Sequence, residues 1–293
     1  MGLTERLTIP EEEFVYSGHT ACGGCGGALA MRIALKALGP RTILVLPACC
    51  WAVIPGVLPA TCLSVPVLSI GFAATGAAVS GIEASLKAQG IDDVTVVGWA
   101  GDGGTADIGI QSLSGAVERG HDFIYFCYDN EAYMNTGIQR SGATPSGAVT
   151  TTTPARKREE KKDMVEIMVA HHIPYAATAS LAYPEDMIKK ITRARSIKGP
   201  KYIHVLSPCP PGWRYPSEKT VEIARKAVMS RIFPLYSVEG GKYEIQRRNI
   251  KKIPVGDYLK MQGRFKLSEE DRAEIQKKVD ENWESLLAKE GTA

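Results

Sequence analysis

The sequence predicts a three-layer α/β fold built on a parallel sheet, and three observations carry that expectation. Helix and strand signals alternate along the chain from about residue 28 to residue 206, the pattern of parallel strands joined by crossover helices. Residues 42–82 include no charged side chain and no histidine, as expected of strands buried on both faces. A chain of 293 residues, 44% hydrophobic and 23% charged, suits one large domain with a sizeable core. The uncharged run is not a membrane span. Pro47, Pro55, Pro59 and Pro66, then Gly71 and Gly76, break it before a helix of about 20 residues can form.

The elements follow in order. A glycine-rich segment, 17–27, leads into a helix over 28–38, stopped by Gly39-Pro40. Residues 42–46 and 65–70 read as buried strands, and 73–89 as a helix of small residues ended by Gly90. A β-branched strand, 94–98, runs into Gly101-Asp102-Gly103-Gly104, and a helix over 105–119 ends at Gly120. A strand at 123–128 opens a polar loop that lasts to about residue 153. Helix 163–171, strand 175–178, helix 184–196 with Pro184 at its first turn, and strand 202–206 complete the alternation. From Ser217 the pattern changes to a helix, a short irregular section and a charged terminal helix. Ser268 caps that last helix, with Glu269-Glu270-Asp271 in its first turn. The organisation is a main domain over 1–236 and a C-terminal extension, 237–293, expected to serve subunit packing.

Charge and cysteine usage narrow the function. Lys and Arg number 35 against 32 Asp and Glu, a net +3 without clustering, so no nucleic-acid partner is expected. The start of the chain has Glu11-Glu12-Glu13 in place of a basic, apolar leader, and seven cysteines make an odd number. Both point to a reducing, cytoplasmic setting in which thiols are kept for chemistry.

The sharpest local signal is Gly98-Trp99-Ala100-Gly101-Asp102-Gly103-Gly104, at the end of a strand and the start of a helix. Ligands of parallel sheets bind at that edge, where glycines admit a phosphate and a helix start offers free N–H groups. Asp102 would repel phosphate unless a divalent cation lies between them, and Mg²⁺ takes such oxygens together with phosphate. After the next strand comes Tyr128-Asp129-Asn130-Glu131, where Asn130 supplies a second oxygen. This arrangement resembles the thiamine diphosphate fingerprint. That likeness implies Mg²⁺ held by Asp102, Asn130 and the carbonyl of Ala132, although Asp129 stands where the common form has a further asparagine.

Cys22-Gly23-Gly24-Cys25 has the spacing at which two thiolates grip one metal or cluster. Cys49-Cys50 and Cys209 follow predicted strands and reach the same sheet edge as Asp102. Cys62 and Cys127 read as buried structural thiols. Spacing does not separate zinc from a [4Fe–4S] cluster; a neighbouring cofactor that releases electrons favours iron–sulfur.

Together, three stretches make the sequence resemble the β subunit of a 2-oxoacid:ferredoxin oxidoreductase, most of all the pyruvate type. They are Gly18–Gly26 around the paired cysteines, Ala100–Gly109, and Tyr128–Gly137 with Asn135-Thr136-Gly137; Pro208-Cys209-Pro210-Pro211-Gly212-Trp213 is a fourth. The resemblance implies thiamine-dependent oxidative decarboxylation of pyruvate to acetyl-CoA and CO₂, reversible, with electrons passed to ferredoxin. It implies thiamine diphosphate, Mg²⁺ and one [4Fe–4S] cluster on Cys22, Cys25, Cys50 and Cys209, with Cys49 a rival to Cys50. Gly101, Gly103, Gly104 and Thr136 join the cofactor site, and Asn135 lies near the reacting carbon. The implied partners are the α and other subunits, ferredoxin, the 2-oxoacid and coenzyme A. Other 2-oxoacids (branched-chain, 2-oxoglutarate, oxalate) are the alternative within the class; a non-catalytic metal- or cluster-binding scaffold is the alternative outside it. The charged run 156–163 reads as a solvated helix entry or a docking surface, Trp51 and Trp213 as shields over the cluster, and His19 as a loop residue.

Overall fold

A computed structural model describes residues 9–57 and 59–291. Its strands are β1 (Thr42–Pro47), β2 (Val67–Ile70), β3 (Thr95–Gly101), β4 (Phe123–Asp129), β5 (Tyr175–Ser180), β6 (Pro200–Leu206), β7 (Leu235–Glu239) and β8 (Lys242–Gln246). The helices are α1 (Gly26–Leu38), α2 (Thr75–Ala88), α3 (Ile110–Glu118), α4 (Met164–Ala170), α5 (Pro184–Ser196), α6 (Pro210–Trp213), α7 (Thr220–Met229), α8 (Val255–Leu259) and α9 (Glu269–Gly291). The strands form a single sheet in the order β2-β1-β3-β4-β6-β5-β7-β8.

Strands β1 to β6 pair in parallel, as the alternating pattern predicts. The other two correct it. β7 runs antiparallel to β5 and turns back into β8, in the section expected to be irregular. Gly240 and Gly241 make that turn, with φ of +55° and +83°, the two positive angles that a tight hairpin demands.

Neighbouring residues of the central strands go to opposite sides, the period-2 rule of a strand. Leu44, Val97 and Ile124 pack with Met31 and Leu35 of α1 and Met187 and Ile191 of α5. Val45, Val96 and Phe123 pack with Val79, Leu113 and Met168 of α2, α3 and α4. This is the expected three-layer arrangement. A further core gathers Trp213, Ile223, Val228, Val255, Tyr258 and Val279 beneath the C-terminal helices.

The C-terminal segment closes back on this frame. β7 and β8 extend the sheet, and Trp283 and Leu286 of α9 pack with Tyr236 and Val238. The guanidinium of Arg231 stands 4.3 Å over the Trp283 ring. The predicted extension is therefore woven into the domain rather than hung from it. Residues 1–8 and 292–293, which fall in the predicted domain ranges, lie outside the described residues. Among the described residues no helix is long and apolar enough to cross a membrane.

Trp283 pins α9 to the sheet, and truncating a buried tryptophan costs about 3–5 kcal/mol. Trp283→Ala is expected to lower the thermal midpoint and to open the Lys277-Lys278 region to trypsin; an unchanged midpoint and digestion pattern would show that α9 is not part of the cooperative unit.

Candidate functional site

The sheet order sets four strands side by side, β1, β3, β4 and β6, and each delivers candidate residues from its C-terminal end. β1 leads to Cys49 and Cys50, β3 to Asp102, β4 to Asn130, and β6 to Cys209. The chain steps from β1 outward to β2 and returns to β3 on the other side, so the crevice lies at a topological switch point.

The turn after β3 departs from the predicted helix in one respect. Residues Gly103–Asp107 form a π turn, with the Ile108 N–H bonded to the Gly103 carbonyl at 3.3 Å, and α3 begins after it. Such turns widen a helix start and recur at functional sites. Thr105 Oγ1 braces the turn by donating to the Gly101 carbonyl at 2.8 Å. The Tyr133 ring lies so close over Gly103 that no Cβ fits there, and Phe72 stands 3.0 Å from where a Gly104 Cβ would be. Tyr133 is tethered by its hydroxyl to Asp107 at 2.9 Å.

Asp102 is fully buried. Its Oδ2 accepts from the Ser141 hydroxyl, while its Oδ1 faces the Asn130 amide. One terminal atom of that amide lies 2.9 Å from both Asp102 Oδ1 and the Ala132 carbonyl. The hydrogen-bond geometry favours the amide nitrogen at this place, donating to both oxygens; turned over, the amide sets its own oxygen beside them, and three acceptors then converge. Burial and the nearby Asp129 carboxylate push the Asp102 carboxyl well above the usual range. A carboxylate so placed lacks a positive partner, and these three oxygens could hold a cation.

Asp129 faces elsewhere. Its Oδ2 meets Lys161 Nζ and, at 2.8 Å, His204 Nε2, while its Oδ1 accepts the Glu131 N–H at 2.9 Å. Burial opposes its charge, but Lys161 and His204 outweigh burial and hold the carboxyl well below the usual range. Glu131 pairs with Lys161 at 2.8 Å and with Arg264, whose guanidinium lies 4.0 Å over the Trp213 ring. Trp213 in turn donates to the Asn130 carbonyl at 2.7 Å. The loop after β4 is thus braced on every side.

This overturns the solvated reading of residues 156–163 for Lys157 and Lys161. Lys157 is only 2% exposed and donates to the carbonyls of Gly142, Thr144 and Glu160. Lys161 enters the network just described, and Lys162 pairs with Asp107 at 2.9 Å. A charged run gives no sign of this, because the partners lie far away in sequence.

The thiols gather beside the same edge. Cys25 caps α1, its sulfur accepting from the Ala28 N–H at 3.4 Å. The loop before it is locked to the Cys209 segment: Gly26 N–H donates to the Pro208 carbonyl at 3.1 Å, and Thr220 donates to the Gly24 carbonyl at 2.6 Å. A Cβ on Gly26 would lie 2.6 Å from that Pro208 oxygen, so the approach requires glycine. Cys50 is pushed up to about 12, by burial and then by the thiols of Cys49, Cys209, Cys25 and Cys22. Cys49 differs: burial pushes its thiol up, while Tyr128 and the backbone at Trp51, Ala52 and Gly101 act to lower it. Among the described residues no three His, Cys, Asp or Glu side chains stand in a ligating array.

Cys62 and Cys127 are buried, as expected of structural thiols. Trp51 and Trp213 are fully buried. The His19 ring accepts a hydrogen bond from the Ala21 N–H at 3.4 Å, a loop role. Asn135 and Thr136 lie exposed on the outer rim of the loop, where Thr136 donates to Gln139 at 2.7 Å. A cavity of about 500 Å³ opens next to Ser141, bounded by Asp107, Tyr133, Arg140 and Lys162. Sequence reasoning missed Ser141, Glu131, Lys161, His204 and Arg264. Only Glu131, adjacent to Asn130, had a local signal.

The fold and its edge define a thiamine diphosphate-binding α/β module. The family described as thiamine pyrophosphate enzyme, C-terminal TPP binding domain, matches residues 63–205. Across 96% of its length the chain is 55% identical to ketoisovalerate oxidoreductase subunit VorB of Pyrococcus horikoshii, matching 95% of that protein. It is 50% identical over 94% of its length to pyruvate synthase subunit PorB of Methanothermobacter marburgensis, of which 97% is matched. A solved 2-oxoglutarate:ferredoxin oxidoreductase from Magnetococcus marinus shares the fold, with a TM-score of 0.60 at 19% identity, over 95% of this chain and 91% of that one. The chain belongs to the family of β subunits of the 2-oxoacid:ferredoxin oxidoreductases.

Because Asp129 is held below its ordinary pKa, its contribution to stability is complete above about pH 4 and fades as the pH falls through the folded value. Asp129→Asn is expected to cost about 3 kcal/mol at pH 7, the lower end for a broken buried pair, because Lys161 keeps Glu131. The gap in thermal midpoint between parent and variant should narrow below pH 4; a gap constant from pH 7 to pH 3 would contradict the charge assignment.

Proposed function

We propose that the chain is the cofactor-binding subunit of an enzyme that converts pyruvate and coenzyme A to acetyl-CoA and CO₂, reversibly, passing the electrons to ferredoxin. The observation that carries this reading is the convergence of Asp102, Asn130 and the Ala132 carbonyl beyond β3 and β4. Neighbouring ligands of an octahedral Mg²⁺, with bonds of about 2.0–2.1 Å, stand about 2.9 Å apart. The amide atom of Asn130 stands 2.9 Å from each of the other two oxygens. With the Asn130 amide turned so that its oxygen faces the other two, the residues present suit Mg²⁺.

When bound, thiamine diphosphate supplies the carbanion that adds to the 2-oxo carbon, and a [4Fe–4S] cluster takes up the electrons released. The chain's own residues do the rest. Asp102, Asn130 and Ala132 hold the cation that neutralises the diphosphate, and Gly101, Gly103 and Gly104 leave room for phosphate oxygens. Asn135 and Thr136 face outward, where the reacting end and a second module would meet them. Cys22, Cys25, Cys50 and Cys209 hold the cluster by the chemistry of the donor set. Cys50 is preferred to Cys49 because it stands within electrostatic reach of the thiols of Cys209, Cys25 and Cys22. Trp51 and Trp213 keep water from the cysteine loops.

The catalytic unit needs other chains. A thiamine enzyme uses two α/β modules, and this chain has one Asp102–Asn130 unit; the α subunit supplies the second, and a further subunit carries electrons on to ferredoxin. A branched-chain 2-oxoacid is the second reading of the substrate, favoured by the names of relatives at 54–55% identity.

The deciding experiment is dye reduction by the co-expressed complex with pyruvate, 2-oxoisovalerate, 2-oxoglutarate or oxalate, each with and without coenzyme A. Fastest turnover on pyruvate supports the first reading and on 2-oxoisovalerate the second, while no turnover on any rejects the function. This chain alone, reconstituted with all cofactors, is expected to be inactive.

The cluster is tested by serine substitution at single cysteines. Cys22, Cys25, Cys50 and Cys209 variants are expected to lose iron and sulfide, whereas Cys49→Ser, Cys62→Ser and Cys127→Ser retain both. Parent protein with zinc and no sulfide would reject the iron–sulfur assignment.

A further inference from the structure

We infer that Glu131, gripped by Lys161 and Arg264, is a positioning residue that holds the Asn130 and Ala132 oxygens in place for the cation. The inference rests on reading the three converging oxygens as a Mg²⁺ site.

Glu131 stands between two of the three oxygens and has φ of +66°, the left-handed conformation that a residue other than glycine adopts at a cost of about 1–2 kcal/mol. That reversal lets the Asn130 side chain and the next carbonyl turn to the same point. Glycine would make the reversal without strain, so a glutamate here must contribute through its side chain.

Every polar group of Glu131 is held. Its N–H donates to Asp129 Oδ1 at 2.9 Å, its carbonyl accepts from Thr144 Oγ1 at 2.6 Å, and its carboxylate spans Lys161, at 2.8 Å, and Arg264. Lys161 Nζ meets both Asp129 and Glu131. It staples residues 129 and 131 together and leaves Asn130, between them, directed at Asp102.

Charge supports the same division of labour. Asp129 and Glu131 are matched by Lys161 and Arg264, so the clamp is neutral within itself. None of its positive groups pairs directly with Asp102, whose hydrogen-bonding partners are the neutral Ser141 and Asn130. The clamp fixes the oxygens without competing for the ion. Groups that orient metal ligands from behind typically contribute 10–100-fold to metal affinity.

The experiment uses the co-expressed complex freed of cofactor, with thiamine diphosphate at fixed concentration and Mg²⁺ titrated, binding being read by calorimetry. Glu131→Gln and Lys161→Gln are expected to raise the Mg²⁺ needed for half-maximal binding by about 10–100-fold. Lys161→Arg should restore most of it. Each variant unpairs a group of the clamp and is expected to lower the thermal midpoint before cofactor addition. Binding is therefore compared at a temperature where the variant is folded and its iron content matches the parent's; a merely structural role would then leave the Mg²⁺ dependence parent-like. Lys161 reaches solvent, so Lys161→Gln carries the test if Glu131→Gln does not accumulate. Parent-like Mg²⁺ dependence in Lys161→Gln would overturn the inference while leaving the cation site intact. If Asp102→Ala also binds like the parent, the site itself is misassigned and both readings fall.

Discussion

A buried carboxylate that its own protein leaves without a counter-charge sets the terms for this fold. Asp102 sits at the end of β3 with one oxygen tied to Ser141 and the other facing the Asn130 amide. Burying an uncompensated charge is expensive, so the surroundings must be stiff enough to keep it there. The stiffness comes from the sheet beneath, from the Thr105 brace on the turn, and from the clamped loop after β4. Each would be less constrained if the three oxygens were free to move apart. The apparent extravagance of four ionic groups behind Asn130, three of them buried, makes sense on these terms. They hold a geometry that the apolar core cannot reach.

Sheet order supplies the second constraint. Because β1, β3, β4 and β6 are neighbours, the oxygens and the thiols emerge along one short stretch of edge, with Tyr128 between them. The Tyr128 hydroxyl accepts from the Cys50 N–H at 3.1 Å and lies against Gly101, 3.3 Å from where its Cβ would be. One side chain of β4 therefore joins the cysteine loop to the turn after β3. A shift of either region would be felt by the other.

Much of this was legible in the sequence, and the reasons for the rest are physical. The Asp102 turn could be read because strand, glycines and helix start are consecutive, and the parallel frame because its strands are apolar throughout. The β7–β8 hairpin carried its own signal in Gly240-Gly241, but its strands are short and partly charged, and the run looked irregular. Lys161 was read as solvated because burial of a charge depends on partners, and here those are Asp129 and Glu131, 32 and 30 positions back. Arg264 lies 133 positions from Glu131, and no local pattern links them. The role of Asp129 was likewise hidden, since it stands where the common fingerprint has an asparagine and its partners Lys161 and His204 lie far along the chain.

The lock between Gly26 and Pro208 has a consequence for the order of events during synthesis. Cys22, Cys25 and Cys50 leave the ribosome early, whereas Cys209 follows after β6, an interior strand that must slot between β4 and β5. Until then the loop that bears Cys22 and Cys25 has no Pro208 carbonyl to close against. A nascent chain therefore cannot hold that loop rigid, and a chain truncated before β6 would keep six of the seven cysteines without the segment that fixes the first two.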